Sequence, residues 1–214
     1  MANAGAANTV IKLRVSDGLN LGTYTAGFGP SAICFDGTSI WIASSADDSV
    51  TKLRNSDGSN QGIYNVGTVP SAICSDGANI WVANSRGGTV TKLKASDGST
   101  LGTYSVGDEP SAICFDGAYI WVANHAEATV TKLSASDGTV IGTYKVGEEP
   151  SAICFDGANI WVANHTEATV TMLRAGDGAV MGTFEVGNNP SAICFDGVNI
   201  WVANAGNDDS VTKL

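Results

Sequence analysis

The chain holds two histidines, His125 and His165, and each is followed two residues later by a glutamate, Glu127 and Glu167. An acidic pair lies upstream of each, Asp108-Glu109 and Glu148-Glu149. Imidazoles among carboxylates form a donor set for a divalent cation. Oxygen ligands alone suit Ca²⁺ or Mg²⁺, and imidazole adds affinity for Zn²⁺ or Ni²⁺. His125, Glu127, His165 and Glu167 are therefore the metal candidates. Asp108, Glu109, Glu148 and Glu149 join them as ligand-binding candidates, with Asn124 and Asn164 beside the histidines. No Asp-x-Asp-x-Asp-Gly loop and no His-x-x-x-His pair is present, so no resident cofactor is expected. A solvated acidic surface that keeps the protein soluble accounts for the same residues.

Other chemistry finds little support. There is no Gly-x-Ser-x-Gly elbow, Gly-x-Gly-x-x-Gly turn or P-loop. Glu148 and Glu149 are adjacent in sequence and would point apart, which is poor geometry for paired acid/base work. No catalytic residue is assigned, and a non-enzyme is expected. The five cysteines contain no Cys-x-x-Cys and are odd in number. They read as small buried apolar residues, and unpaired thiols favour a reducing, cytoplasmic compartment. The N-terminal residues Met1 to Asn8 show neither the basic nor the apolar region of a secretory leader.

The charge balance is 11 basic against 21 acidic residues, net −10. Nucleic acid and anionic membranes attract clustered Lys and Arg, so neither is expected as a partner. No apolar run is long enough for a spanning helix.

The candidate residues recur because the chain recurs. Pro falls at 30, 70, 110, 150 and 190, Cys at 34, 74, 114, 154 and 194, and Trp at 41, 81, 121, 161 and 201. The period is 40 residues, and segments 88–127 and 128–167 agree at 31 of 40 positions. Each repeat carries four short runs rich in β-branched and aromatic residues, punctuated by Gly, Asp, Asn and Pro. Asp-Gly stands between runs twice per repeat, a strong hairpin signal because such turns need positive φ. A unit of this size with four antiparallel strands is one β-propeller blade.

We label the strands outward from the axis: A (Ser-Ala-Ile-Cys-Phe), B (Ile-Trp-Val-Ala-Asn), C (Thr-Val-Thr-Lys-Leu) and D (Gly-Thr-Tyr-x-Val). The Trp and Phe series read as core between blades, with Ser75 leaving a void or a hydroxyl in need of a partner. The lysines of strand C suggest a place nearer solvent.

The expectation is a single all-β domain over 1–214, a five-bladed propeller with repeats 8–47, 48–87, 88–127, 128–167 and 168–208. A, B and D occur five times but C six, so strands from both termini are expected to close the ring. Thr9–Leu13 is favoured as the C strand of the closing blade, which makes 209–214 a surplus copy.

The Val106-Gly107 to Pro110 linker, the Ala112 to Gly117 strand and turn, and Trp121-Val122-Ala123-Asn124 with Thr129-Val130 resemble the repeats of the YVTN/NHL-type propeller family. The resemblance covers essentially the whole chain. It implies a propeller fold and places the chain near virginiamycin B lyase, a seven-bladed, metal-assisted enzyme.

In a propeller the D–A linkers and B–C turns share one face. Here that face varies from copy to copy while the opposite hairpins are nearly uniform. It carries Asp47, Asp48, Asp208 and Asp209 besides the carboxylates already named, against one basic residue, Arg86. A binding or scaffold module using this face for a protein or small ligand is the leading expectation, and a monomer is expected. The alternatives are a lectin holding glycans between blades beside the Asn residues, a metal-assisted lyase or hydrolase, and a reconstructed or engineered repeat protein with no selected ligand.

Overall fold

The computed structural model describes residues 2–3, 8–207 and 209–214. Met1 and residues 4–7, on which much of the leader reading rests, lie outside the described residues, as does Asp208. The chain has a β-propeller fold built of antiparallel sheets. It divides into two compact units, Met1–Thr103 and Tyr104–Leu214. Among the described residues no helix is long and apolar enough to cross a membrane.

The first unit opens with a three-stranded sheet, β1 (Ala2–Asn3), β2 (Thr9–Leu13) and β3 (Asn20–Thr25). A complete blade follows: β4 (Pro30–Phe35), β5 (Ser39–Ser44), β6 (Ser49–Arg54) and β7 (Asn60–Asn65). The next has β8 (Pro70–Ser75), β9 (Asn79–Asn84), β10 (Thr89–Lys94) and β11 (Thr100–Ser105). The second unit holds the blade β12 (Pro110–Phe115), β13 (Tyr119–Asn124), β14 (Thr129–Ser134) and β15 (Val140–Lys145). Then come β16 (Pro150–Phe155), β17 (Asn159–Asn164), β18 (Thr169–Arg174) and β19 (Val180–Glu185). The last sheet has three strands, β20 (Pro190–Phe195), β21 (Ile200–Asn204) and β22 (Ser210–Lys213).

Register explains the packing. In one blade Cys114 stands opposite Trp121, which stands opposite Lys132, and Ala112, Ala123 and Val130 form a parallel row. Side chains alternate across a strand. These residues therefore form one face, and Ile113, Phe115, Ile120, Val122 and Leu133 lie on the other. Within each unit, blades stack the Trp face of one on the Ile face of the next. Trp121 and Val130 share a core with Ile153, Ile160, Val162 and Leu173. In the first unit Trp41, Ala43 and Val50 do the same with Ile73, Ile80, Val82 and Leu93.

The A–B hairpin is built around its Asp. Asp156 Oδ1 accepts the backbone N–H of Ala158 and Asn159, and Oδ2 accepts the Trp161 indole at 2.7 Å. Burial raises the Asp156 pKa, but the bonds from Trp161, Asn159 and Ala158 outweigh it and hold the carboxyl below its ordinary value. Asp36 and Asp76 behave alike. The C–D turn needs Gly for two reasons. Gly178 has φ +76°, and the ring of Tyr144 lies where a Cβ would go.

Four sequence expectations change here. First, the C place of the last sheet belongs to the C-terminal copy: Val211 pairs Ala203 and Thr212 pairs Val202. Leu214 exchanges backbone hydrogen bonds with Ile200 and joins the seam of Ile193, Ile200 and Val202. That apolar contact anchors 209–214, so it is no surplus, while Thr9–Leu13 pairs with β1 and β3.

Second, Lys52, Lys92 and Lys132 of strand C are buried rather than near solvent, while Lys12 is half-buried and Lys213 exposed. Lys132 is 1% exposed. Its Nζ donates to the carbonyls of Ala175 (2.7 Å) and Gly176 (3.0 Å) and lies over the Tyr119 and Trp121 rings. Burial lowers its pKa, opposed by Asp116 and Asp177. Lys52 reaches Ala95 and Ser96 in the same way. Third, Trp41, Trp81 and Trp121 are fully buried as expected, but Trp201 is 36% exposed and Phe35 51%. Fourth, the Ser75 hydroxyl finds its partner by accepting the N–H of Gly77.

Among the described residues no cysteine forms a disulfide. Burial pushes the Cys34 and Cys154 thiols up to about 12, with Asp36 contributing at Cys34 and Cys194 and Asp156 at Cys154. Such thiols are unreactive at neutral pH.

Candidate functional site

The candidate residues sit where a linker from strand D meets a turn after strand B. One backbone arrangement recurs. The N–H after strand B donates to the carbonyl just before the proline that opens strand A of the same blade: Ser45 to Gly29 and Ser85 to Val69 in the first unit. In the second unit His125 donates to Glu109 (3.0 Å), His165 to Glu149 (3.1 Å) and Ala205 to Asn189 (3.0 Å). The accepting residue is left-handed every time: φ is +64° at Gly29, +56° at Val69, +51° at Glu109, +54° at Glu149 and +52° at Asn189. Non-glycine residues pay a backbone penalty there, of order 1–2 kcal/mol, and such strain collects at binding edges and switches. The backbone repeats and the side chain on it does not.

The second unit brings the candidates into partial contact. Glu149 Oε2 accepts the Thr166 hydroxyl at 2.5 Å and lies 3.4 Å from His165 Nδ1. The Thr166 bond holds Glu149 below its ordinary pKa, burial opposes it, and His125 and His165 add to the lowering. Glu149 thus contacts the turn that carries His165, and His125 reaches it only through its charge. The His165 and Glu149 side chains are 39% and 47% exposed, so the group faces solvent.

Glu127 and Glu167 are exposed but lie against their linkers. A Cβ at Gly107 would lie 2.5 Å from Glu127 Oε2, and Glu167 Oε2 crowds Gly147 in the same way. These carboxylates close over the linker glycine, as Asp47 does at Gly27, which leaves no room for a side chain there. Asp108 and Glu109 shape the equivalent linker, where the N–H of Ala126 donates to the Asp108 carbonyl at 3.4 Å. In the first unit, Asp47 Oδ2 accepts the Phe28 N–H and Asp48 Oδ1 the Val69 N–H, both at 2.7 Å. Part of the acidic surface is therefore committed to pinning the backbone.

Asn124 and Asn164 are fully buried, so the structure places them inside the blade and away from any glycan surface. The Asn124 amide donates to Thr129 and Thr131, and that of Asn164 to Thr169 and Thr171. Each leaves its Oδ1 without a partner, as do Asn84 and Asn204. The physical reason is register: Asn124 ends strand B directly opposite Thr129, on the face covered by the linker. Among the described residues no three His, Cys, Asp or Glu side chains converge as a metal set, so His125, Glu127, His165 and Glu167 are not gathered into one.

Sequence reasoning found the linker–turn edge from its variability but missed the Glu149–Thr166 bond. The signal available was Thr166, which replaces Ala126 of the preceding copy beside an unchanged acidic pair position. It also missed the buried lysines, whose signal was the recurrence of Lys52, Lys92 and Lys132 opposite Trp41, Trp81 and Trp121.

No protein-family model matches this sequence, and no curated protein matches it. Solved structures do match in shape. A functionally unknown protein from Desulfotomaculum acetoxidans superposes with a TM-score of 0.83 at 13% identity, covering 97% of this chain and 76% of that one. Virginiamycin B lyase from Staphylococcus aureus gives 0.80 at 20% identity, covering 97% and 73%. Hydrazine synthase of Kuenenia stuttgartiensis gives 0.71 at 18% identity, and this chain spans 66% of its length. At these identities the likeness speaks for architecture alone. The chain shares a β-propeller fold with these structures.

Proposed function

We propose that the protein is a non-catalytic binding module that recognises a basic protein segment through its acidic linker–turn edge. The observation that carries this reading is the repeated backbone bond from the turn to a left-handed linker residue, which presents Gly29, Val69, Glu109, Glu149 and Asn189 on one conformation. A rigid frame with interchangeable side chains is how recognition surfaces are commonly built. Asp108, Glu109, Glu148 and Glu149 supply negative potential, which favours Lys- or Arg-rich ligands and speeds their capture. The Glu149–Thr166–His165 contacts fix one carboxylate in place before any ligand arrives.

The test is an array screen of labelled protein against Lys/Arg-rich peptides and a glycan panel, with Ca²⁺ and with EDTA. The reading expects peptide binding that weakens with added salt and ignores EDTA. Binding to a defined sugar, or loss of all binding in EDTA, would replace it with a lectin or a cation-dependent site. A blank array in both buffers would also count against it.

A further inference from the structure

The hairpin ends of the blades are nearly uniform, and the first complete blade is where they depart from uniformity. The residue just before the strand B isoleucine is Asn79, Tyr119, Asn159 or Asn199 in four copies and Ser39 in this one. The second residue of strand D is Leu21, Leu101, Ile141 or Met181 elsewhere and Gln61 here. The two changes meet, because the Ser39 hydroxyl donates to Gln61 Oε1 at 3.0 Å. Asn79 and Asn159 instead turn back and donate to their hairpin aspartates. Tyr119 lays its ring over Lys132, with the centroid 3.8 Å from Nζ.

The space that Tyr119 fills is open beside Ser39. A cleft of about 590 Å³ lies there between the blades β4–β7 and β8–β11, a size suited to a small molecule. Its lining holds three cations, Lys52, Arg54 and Lys94, against one carboxylate, Asp36, in a chain of net charge −10. Donors also outnumber acceptors. Lys52 is 7% exposed, and its ammonium carries three N–H groups. Two are spent on the carbonyls of Ala95 and Ser96, at 2.7 and 3.2 Å. The third meets no protein oxygen among the described residues. The Gln61 amide keeps its N–H groups after Oε1 accepts from Ser39. Arg54 and Lys94 hold Asp57 and Asp97 at 3.2 and 3.3 Å, exposed pairs weak enough to give way. Both oxygens of Asp36 are taken up by its own hairpin, through Thr38, Ser39 and Trp41. A buried ammonium with a donor to spare gains most from a charged oxygen acceptor.

We propose that this cleft binds one small hydroxylated organic anion, its carboxylate or phosphate group meeting Lys52, Arg54 and Lys94 and its hydroxyls meeting Ser39 and Gln61. The site stands at the strand ends opposite the linker–turn edge. It is therefore independent of peptide recognition at that edge, and either can fail without the other.

The test is equilibrium dialysis of labelled gluconate and glucose 6-phosphate, with glucose as the neutral probe. At least one anion should bind at one site per chain and weaken with added salt, and the one that binds identifies the head group. Ser39→Tyr and Gln61→Leu each install a residue that the chain already carries at the equivalent position, Tyr119 or Leu101, so the fold should hold. Circular dichroism checks this, and if Ser39→Tyr disturbs the sheet, the exposed Gln61 position decides alone. Each folded variant should bind the anion about tenfold more weakly or worse. Binding of neither anion overturns the proposal. Glucose binding as tightly as the anions, or anion binding kept in a folded variant, would overturn it as well.

Discussion

Replacing Lys132 by Met tests the energetics of the seams. The lysine stem and a Met side chain occupy similar space, so packing is largely kept. What is lost is the ammonium: two hydrogen bonds to Ala175 and Gly176 at 2.7 and 3.0 Å, and its place 3.8 Å from the Tyr119 ring centroid. Hydrogen bonds from a charged donor contribute about 1.5–3 kcal/mol each, and a desolvated cation–π contact about 2 kcal/mol. Against this stands the desolvation of the ammonium, which is several kcal/mol and vanishes in the variant. Two buried carbonyls would remain unpaired at about 1–3 kcal/mol each. The balance predicts a loss of roughly 2–3 kcal/mol in urea melts. The chain contains its own control at Met172, which takes the lysine position where the next sheet, β20–β22, has no fourth strand and hence no C–D turn to accept from it. Met172→Lys should therefore bring no gain. Unchanged or increased stability in Lys132→Met would refute the claim that the buried cation ties the blades together.

Three further outcomes follow from the same contacts. Trp121→Ala removes a fully buried ring bonded to Asp116 and should cost ~3–5 kcal/mol in denaturant melts; a cost below about 1 kcal/mol would mean the ring is not core. Deleting 210–214 strips Leu214 from its seam and unpairs β21, with an expected loss of about 3 kcal/mol, and an unchanged melt would show that another strand fills the place. The hairpin aspartates Asp36, Asp76, Asp156 and Asp196 are held below the ordinary carboxylate pKa of about 3.9. Their stabilisation is present above that value and is lost as pH falls through the lower native one, so stability should drop below about pH 4. Asp156→Asn should flatten that acid limb; a limb as steep as wild type would place the effect elsewhere.

Much of this architecture is written in the period of Pro, Cys and Trp, because each blade is a local unit whose strands and turns are set by nearby residues. Asp-Gly turns and alternating faces carried that reading. What escaped it was set by neighbouring blades. Lys132 looks like a surface residue until Ala175 and Gly176 of the next blade supply its acceptors. Trp201 has the same local sequence as Trp121, yet it is 36% exposed where Trp121 is fully buried. Thr9–Leu13 and Ser210–Leu214 share a sequence, yet each joins its own three-stranded sheet, which no local signal distinguishes. In the candidate site, variability between copies marked the edge, but burial of Asn124 and Asn164 depended on strand register.

The central claim is that frame and recognition are separable: one linker backbone, with function in the side chains it carries. The most direct measurement exchanges Glu148-Glu149 for Thr-Val, the pair that occupies the same conformation at 68–69, and compares binding of a Lys/Arg-rich peptide by fluorescence anisotropy alongside a urea melt. Because Val69 and Glu149 share φ values of +56° and +54°, stability should hold within about 1 kcal/mol while peptide affinity falls at least tenfold. Unchanged affinity would remove recognition from this edge, and an unfolded variant would show that the side chains, rather than the shared backbone bonds, hold the linker.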